Sequence, residues 1–113
     1  MNVNNTKAQM RKGILELCVL SIIDKKPAYP SDIIERLKNS KLIVVEGTLY
    51  PLLARLKNAA LLNYNWQESK SGPPRKYYQL SDEGKLFLDE LKFTWNQLNE
   101  AVQHALNLTE PQS

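Results

Sequence analysis

The chain has 113 residues, of which 42% are apolar, the size of one compact domain with enough apolar side chains for a modest core. Charge is uneven: residues 1–80 hold 13 Lys+Arg against 6 Asp+Glu, and residues 81–113 hold 2 against 6, so the first part suits a polyanion and the second a different partner. The longest apolar run, Ile14 to Ile23, contains Glu16 and Ser21 and falls short of the ~20 residues that span a bilayer, while residues 1–7 lack a secretory signal, so no membrane association and a cytoplasmic location are expected.

Thr6 to Lys25 is predicted to be a helix, capped by Asn5 or Thr6, with Met10, Ile14, Leu17, Cys18, Leu20, Ile22 and Ile23 as its apolar residues. Its second half is apolar nearly all round and is expected to be enclosed by other elements. Pro27 to Pro30 breaks the chain, and Ile33, Ile34 and Leu37 mark a short helix of about two turns. Lys41 to Val45 is too short and too β-branched for a helix. It leads into a second short one, Thr48 to Asn58, with Leu49, Leu52, Leu53 and Leu56 at i, i+3, i+4 and i+7. Two short helices after a long one is the spacing of a helix-turn-helix.

Two strand-like runs follow, Leu61 to Glu68 and Arg75 to Leu80, the first alternating Leu62, Tyr64 and Trp66 with Asn63, Asn65 and Gln67. Ser69 to Pro74 between them is predicted to be a projecting basic loop, too long for a two-residue hairpin. By strand alternation, one of Tyr77 and Tyr78 is expected in the core and the other outside. Ser81-Asp82-Glu83-Gly84 has the form of a helix start, with Ser81 as cap and two acids favoured by the helix dipole. About seven helical turns should then run to roughly Asn107. The expected fold is α+β, mainly α with a small β-hairpin: a winged helix-turn-helix domain over residues 1–80, then a dimerisation helix and short tail over 81–113.

In that last helix Leu88, Leu91, Trp95, Leu98, Val102 and Ala105 are spaced 3, 4, 3, 4, 3, a heptad seam of the kind helices use against a partner helix. Either the stripe packs only on the chain's own core, or a second copy covers it through a two-fold interface, with the first helix contributing. The seam would bring two copies of Trp95 together into a slot for a small planar apolar effector. Filling of the dimer core is the plainer role for that side chain. Cys18 and His104 are the sole cysteine and histidine, so no disulfide, Cys/His metal cage or cofactor is expected. They sit on different helices, Cys18 among apolar neighbours, so no nucleophile–base pair and no enzyme activity are expected.

On a helical wheel the leucines of the Thr48–Asn58 helix fall on one side, with Gly47, Pro51, Ala54 and Asn58 opposite them. Thr48 and Arg55 flank this low crest on one edge, Tyr50 and Lys57 on the other. Such a helix can enter a major groove about 12 Å wide while its edges meet phosphates. Lys70, Arg75 and Lys76 add a basic cluster in the wing that can reach phosphates or the adjacent minor groove. These seven side chains are the expected DNA contacts, mainly positioning ones. Asn58 lies too far toward the helix C-terminus, since recognition helices lead with their N-terminal residues.

The segments Glu46-Gly47-Thr48-Leu49-Tyr50-Pro51-Leu52-Leu53-Ala54-Arg55-Leu56 and Gly72-Pro73-Pro74-Arg75-Lys76-Tyr77-Tyr78-Gln79-Leu80-Ser81-Asp82-Glu83-Gly84 resemble the PadR family of bacterial transcriptional repressors, in its short form with a single C-terminal helix. The resemblance covers residues from about 8 to 106. It implies a winged-helix homodimer that represses by occupying an inverted-repeat operator and is released by a small molecule or stress signal. It also implies DNA contact by Thr48, Tyr50, Arg75 and Lys76 and dimer contact by the C-terminal helix. Two departures stand out. Pro30-Ser31-Asp32-Ile33 replaces a frequent Gly-Tyr-Glu-Ile, and Asn58-Ala59-Ala60-Leu61 lacks the family's glycine after the recognition helix. Absence of that glycine is expected to alter the turn into the wing, because glycine adopts the left-handed conformation most easily. The rival function is a winged-helix protein–protein module whose basic face meets an acidic partner.

Overall fold

The computed structural model describes residues 1–107, and the short tail expected at the C-terminus, 108–113, lies outside the described residues. Helix α1 spans Val3–Lys25. It starts before the expected Thr6 because Asn2 is the cap, its side chain accepting a hydrogen bond from the Asn4 N–H at 2.9 Å, and Asn is among the preferred caps. Residues 3–13 are exposed on all sides, whereas Val19, Leu20 and Ile23 are fully buried.

Helix α2 spans Pro30–Asn39, with Pro30 at the first position, where its missing N–H costs nothing, and with an Asp32 carboxylate oxygen accepting from the Tyr29 N–H at 3.2 Å. It ends with Lys41 at φ 67°. There the Leu42 N–H reaches the Leu37 carbonyl at 2.8 Å and the Lys41 N–H reaches Lys38 at 2.9 Å, the paired bonds of a Schellman cap. Helix α3, Glu46–Asn58, buries Leu49, Leu52, Leu53 and Leu56, the stripe expected from their spacing.

The turn out of α3 adopts the left-handed conformation without a glycine. Ala60 holds φ 64°, its N–H bonded to Lys57 at 3.0 Å and the Leu61 N–H to Leu56 at 2.9 Å. The left-handed turn therefore survives with a side chain in it, at a steric cost that a glycine avoids.

Strands β1, Leu62–Ser69, and β2, Gly72–Leu80, form an antiparallel ribbon in which Leu62 faces Leu80, Tyr64 faces Tyr78, Trp66 faces Lys76 and Ser69 faces Gly72. The long loop expected over Ser69–Pro74 is instead a two-residue turn, Lys70-Ser71, with a register shift between Gln67 and Ser69. Pro73 and Pro74 belong to β2 and lie at its register shift, where the ladder is interrupted and missing donors are tolerated. On the other edge of β2, Ala28 and Tyr78 exchange two backbone hydrogen bonds of 3.0 and 2.9 Å, so the segment before α2 braces the wing's root.

Helix α4 spans Asp82–Asn107. The Ser81 hydroxyl accepts from the Gly84 N–H at 2.9 Å, capping the helix as expected, and donates to the Ala60 carbonyl at 2.7 Å. A Cβ on Gly84 would sit 2.1 Å from the Leu61 carbonyl oxygen, so only glycine permits this approach of α4 to the α3–β1 turn. One core joins all the helices and the wing, with Leu20, Ile23, Ile33, Leu37, Leu49, Leu53, Leu62 and Leu88 at its centre. Among the described residues, no helix is long and apolar enough to cross a membrane.

Candidate nucleic-acid interface

The outward face of α3 consists of Gly47, Pro51, Ala54 and Asn58, all exposed, with its leucines on the opposite side in the core. The crest is low and uncharged, as the wheel predicts. Pro51 lies in the second turn and has no N–H to offer the Gly47 carbonyl one turn earlier. Both residues are exposed, so solvent can satisfy that carbonyl.

The two edges of α3 look onto different clefts. Tyr50, Ala54, Lys57 and Asn58 line a groove of about 290 Å³ whose other wall is the wing, through Tyr64, Lys76 and Tyr78. Thr48 and Arg55 instead face α1, where one Arg55 guanidinium nitrogen is 3.3 Å from Glu16. Of the seven expected DNA contacts, the fold thus gathers Tyr50, Lys57 and Lys76 around one groove and sets Thr48 and Arg55 on the far edge of α3.

Within the groove two ammonium groups converge on one ring: Lys57 Nζ lies 5.7 Å and Lys76 Nζ 4.5 Å from the centre of Tyr64. Lys76 is also 5.5 Å from the Trp66 ring, which meets Tyr64 edge-on at 6.0 Å. Aromatic faces favour nearby cations, so the rings hold both lysines along the groove without neutralising them. Tyr78, packed at 5.5 Å from Tyr64, has its hydroxyl pKa raised, first by burial and then by the neighbouring Tyr64 and Tyr50 hydroxyls. It is the core member of the Tyr77–Tyr78 pair, 4% exposed.

Arg75 and Lys76 do not form the single cluster expected with Lys70, because adjacent strand residues point to opposite faces. Lys76 faces α3. The Arg75 guanidinium lies 4.0 Å from the Tyr29 ring centre, Tyr29 packs on Tyr77 at 5.0 Å, and the Tyr29 hydroxyl bonds to Gln67 at 3.2 Å. Lys70 occupies the turn at the wing's tip. The sequence reading missed Tyr29 and the aromatic pair Tyr64 and Trp66 as supports for these cations. The alternation of Tyr64 with Trp66 on β1 was the available signal. Trp66 shares a strand face with the core residue Leu62 yet is 61% exposed, because the ribbon extends past the core that covers its root.

The seam on α4 also divides. Leu88 is fully buried within the chain's own core, and Leu91 is partly buried against it. Trp95 is 41% exposed, Leu98 56% and Val102 52%, and Ala105 is exposed. Cys18 is half-buried, and burial raises its thiol pKa, which makes it a poor nucleophile.

Comparison with known proteins resolves the family. The sequence matches the Transcriptional regulator PadR-like family over residues 19–90, a stretch that includes α2, α3 and the whole wing. The chain belongs to the PadR family of transcriptional regulators. Its structure resembles that of a PadR-like transcription factor from Bacteroides fragilis, with 60% identity, 89% of this chain and 98% of the other covered, and a TM-score of 0.77. A PadR family transcriptional regulator from Eggerthella lenta is 34% identical over 95% of this chain and 94% of its own, with a TM-score of 0.84. A PadR-like regulator from Bacillus cereus is 36% identical over 88% and 97%, with a TM-score of 0.77. The α+β winged-helix fold expected from sequence is the PadR fold, and membership makes the chain a DNA-binding regulator of transcription, in a family of regulators and not of enzymes.

Proposed function

We propose that the chain is a cytoplasmic homodimeric repressor that occupies an inverted-repeat operator, with residues 1–80 binding DNA and α4 joining the two copies. The observation that carries this reading is the groove between α3 and the wing, where Lys57 and Lys76 flank Tyr64 beside a crest of small side chains. The crest enters the major groove by shape, Thr48, Tyr50, Arg55 and Lys57 meet phosphates at its edges, and Lys70, Arg75 and Lys76 extend the contact along the wing. With few base-reading side chains on the crest, specificity depends on dimer spacing and on DNA deformability.

Trp95, Leu98, Val102 and Ala105 form an apolar row left exposed by the chain's own core, and a second copy related by a two-fold axis supplies its cover. Leu88 and Leu91 anchor the base of that helix. The paired Trp95 side chains form the slot through which a planar apolar molecule releases the operator.

Fragments of genomic DNA, including the region upstream of the protein's own gene, are to be selected on purified protein and titrated at rising salt. A steep linear fall of log affinity with log salt is expected from counterion release, together with half-sites one or more helical turns apart. Absence of duplex binding at low salt rejects the repressor reading and favours a protein–protein module. Sedimentation of Leu98→Asp is expected to give monomer. Planar apolar compounds are expected to quench Trp95 fluorescence in a Trp66→Phe background, and an unchanged titration in Trp95→Ala rejects the slot.

A further inference from the structure

On the side of α3 away from the wing lies a larger cleft, about 430 Å³, between α1 and the segment that joins α2 to α3. This is within the size range of small-molecule sites. Its floor is aliphatic, with Leu15, Leu42, Val44 and Leu52, and no aromatic side chain lines it. Its rim carries three cations: Arg11 and Lys12 from α1 and Arg55 from α3. Arg55 is met by Glu16 at 3.3 Å, and that is the sole ion pair among the described residues, so Arg11 and Lys12 have no acidic partner there.

We infer that this cleft binds an aliphatic carboxylate, its chain on the leucine and valine floor and its head among Arg11, Lys12 and Arg55. Three observations select that chemistry. The walls offer saturated carbon surface without a ring to stack on, which favours an alkyl chain. The rim is cationic, which favours an anion. The volume, about 430 Å³, suits a small molecule.

The site also has a route to the groove-binding helix. Thr48 and Arg55 line the cleft and form the edge of α3 that meets phosphates in the proposed function, and this coupling rests on that reading. A carboxylate at the rim competes with Glu16 for Arg55 and places negative charge beside that edge. Ligand and DNA then weaken each other reciprocally. The cleft is separate from the Trp95 row, since Trp95 does not line it.

Binding is tested on the full chain without DNA, so failure of the site and failure of the DNA reading remain distinguishable. Decanoate, below the concentration at which it self-associates, is titrated by calorimetry and followed by amide NMR shifts. Saturable binding with shifts over residues 11–15 and 42–48 is expected, with decanol and acetate each at least tenfold weaker because chain and charge are both needed. Arg11→Glu with Lys12→Glu should weaken decanoate at least tenfold. Ala8→Trp, at an exposed position on the cleft wall, should block it while leaving the melting temperature unchanged. Equal affinity in both variants, or shifts that gather around Trp95, overturns the assignment. So does a change of oligomeric state in Ala8→Trp by sedimentation, which would make the cleft an interface between copies.

Discussion

The Ser81 hydroxyl donates to the Ala60 carbonyl at 2.7 Å while accepting from the Gly84 N–H at 2.9 Å, so one side chain both starts α4 and fastens it to the turn that ends α3. Ser81→Ala removes both bonds. A loss of about 1–2 kcal/mol is expected from the cap, lowering the melting temperature by roughly 4–8 °C per kcal/mol in a domain of this size. An unchanged urea midpoint would show that water replaces both interactions.

Ala60 sits at φ 64°, where a Cβ costs about 1–2 kcal/mol and a glycine loses about 0.5–1 kcal/mol through greater freedom in the unfolded chain. Ala60→Gly is therefore expected to stabilise by about 0.5–1 kcal/mol. Ala60→Val should do the reverse, since a β-branched residue tolerates this conformation least. Chemical denaturation of the two variants gives the sign directly.

Lys57 and Lys76 approach Tyr64 from separate elements, and neither is ion-paired in the described residues. If each meets one phosphate, Lys57→Ala and Lys76→Ala should each reduce the slope of log affinity against log salt by about 0.9, with a similar loss on specific and random duplexes. A loss confined to one operator would make the lysine a reader of bases.

Burial, and then the Tyr64 and Tyr50 hydroxyls, raise the Tyr78 pKa above its ordinary 10.0. The folded state holds that proton more tightly than the unfolded state. The resulting stability is complete below about pH 10 and is lost as pH rises past that value toward the higher folded one. Tyr78→Phe is expected to flatten the decline of the urea midpoint above about pH 10 and to have a smaller effect near about pH 7. The comparison belongs in a Cys18→Ala background, because burial raises that thiol from 9.0 and it titrates in the same sense.

Periodicity made much of this molecule legible. The α3 leucines, the α4 seam and the strand alternation are local patterns read from spacing alone, and the α3 leucines are all buried. What the sequence hid depends on pairing between distant segments. The two-residue wing turn was masked by Pro73-Pro74, which normally signals a loop but here sits in a strand at a register shift. The separation of Arg75 from Lys76 follows from strand alternation, yet Tyr29 as the seat of Arg75 depends on Ala28 pairing with Tyr78. The α4 seam was readable as a stripe. Its division at Leu91 was not, because where the core ends is set by α1 and the wing and not by α4 itself.

The contact between Gly84 and Leu61 makes a stiff joint, and a stiff joint turns α4 into a lever. At about 1.5 Å per residue, the part of α4 beyond Gly84 gives an arm of about 35 Å, anchored directly against the residue that precedes the wing. A tilt of about 5° at that contact would displace the far end by about 3 Å. In the homodimer proposed above, small angles at this one contact would change the spacing between the two DNA-binding units without unfolding any element.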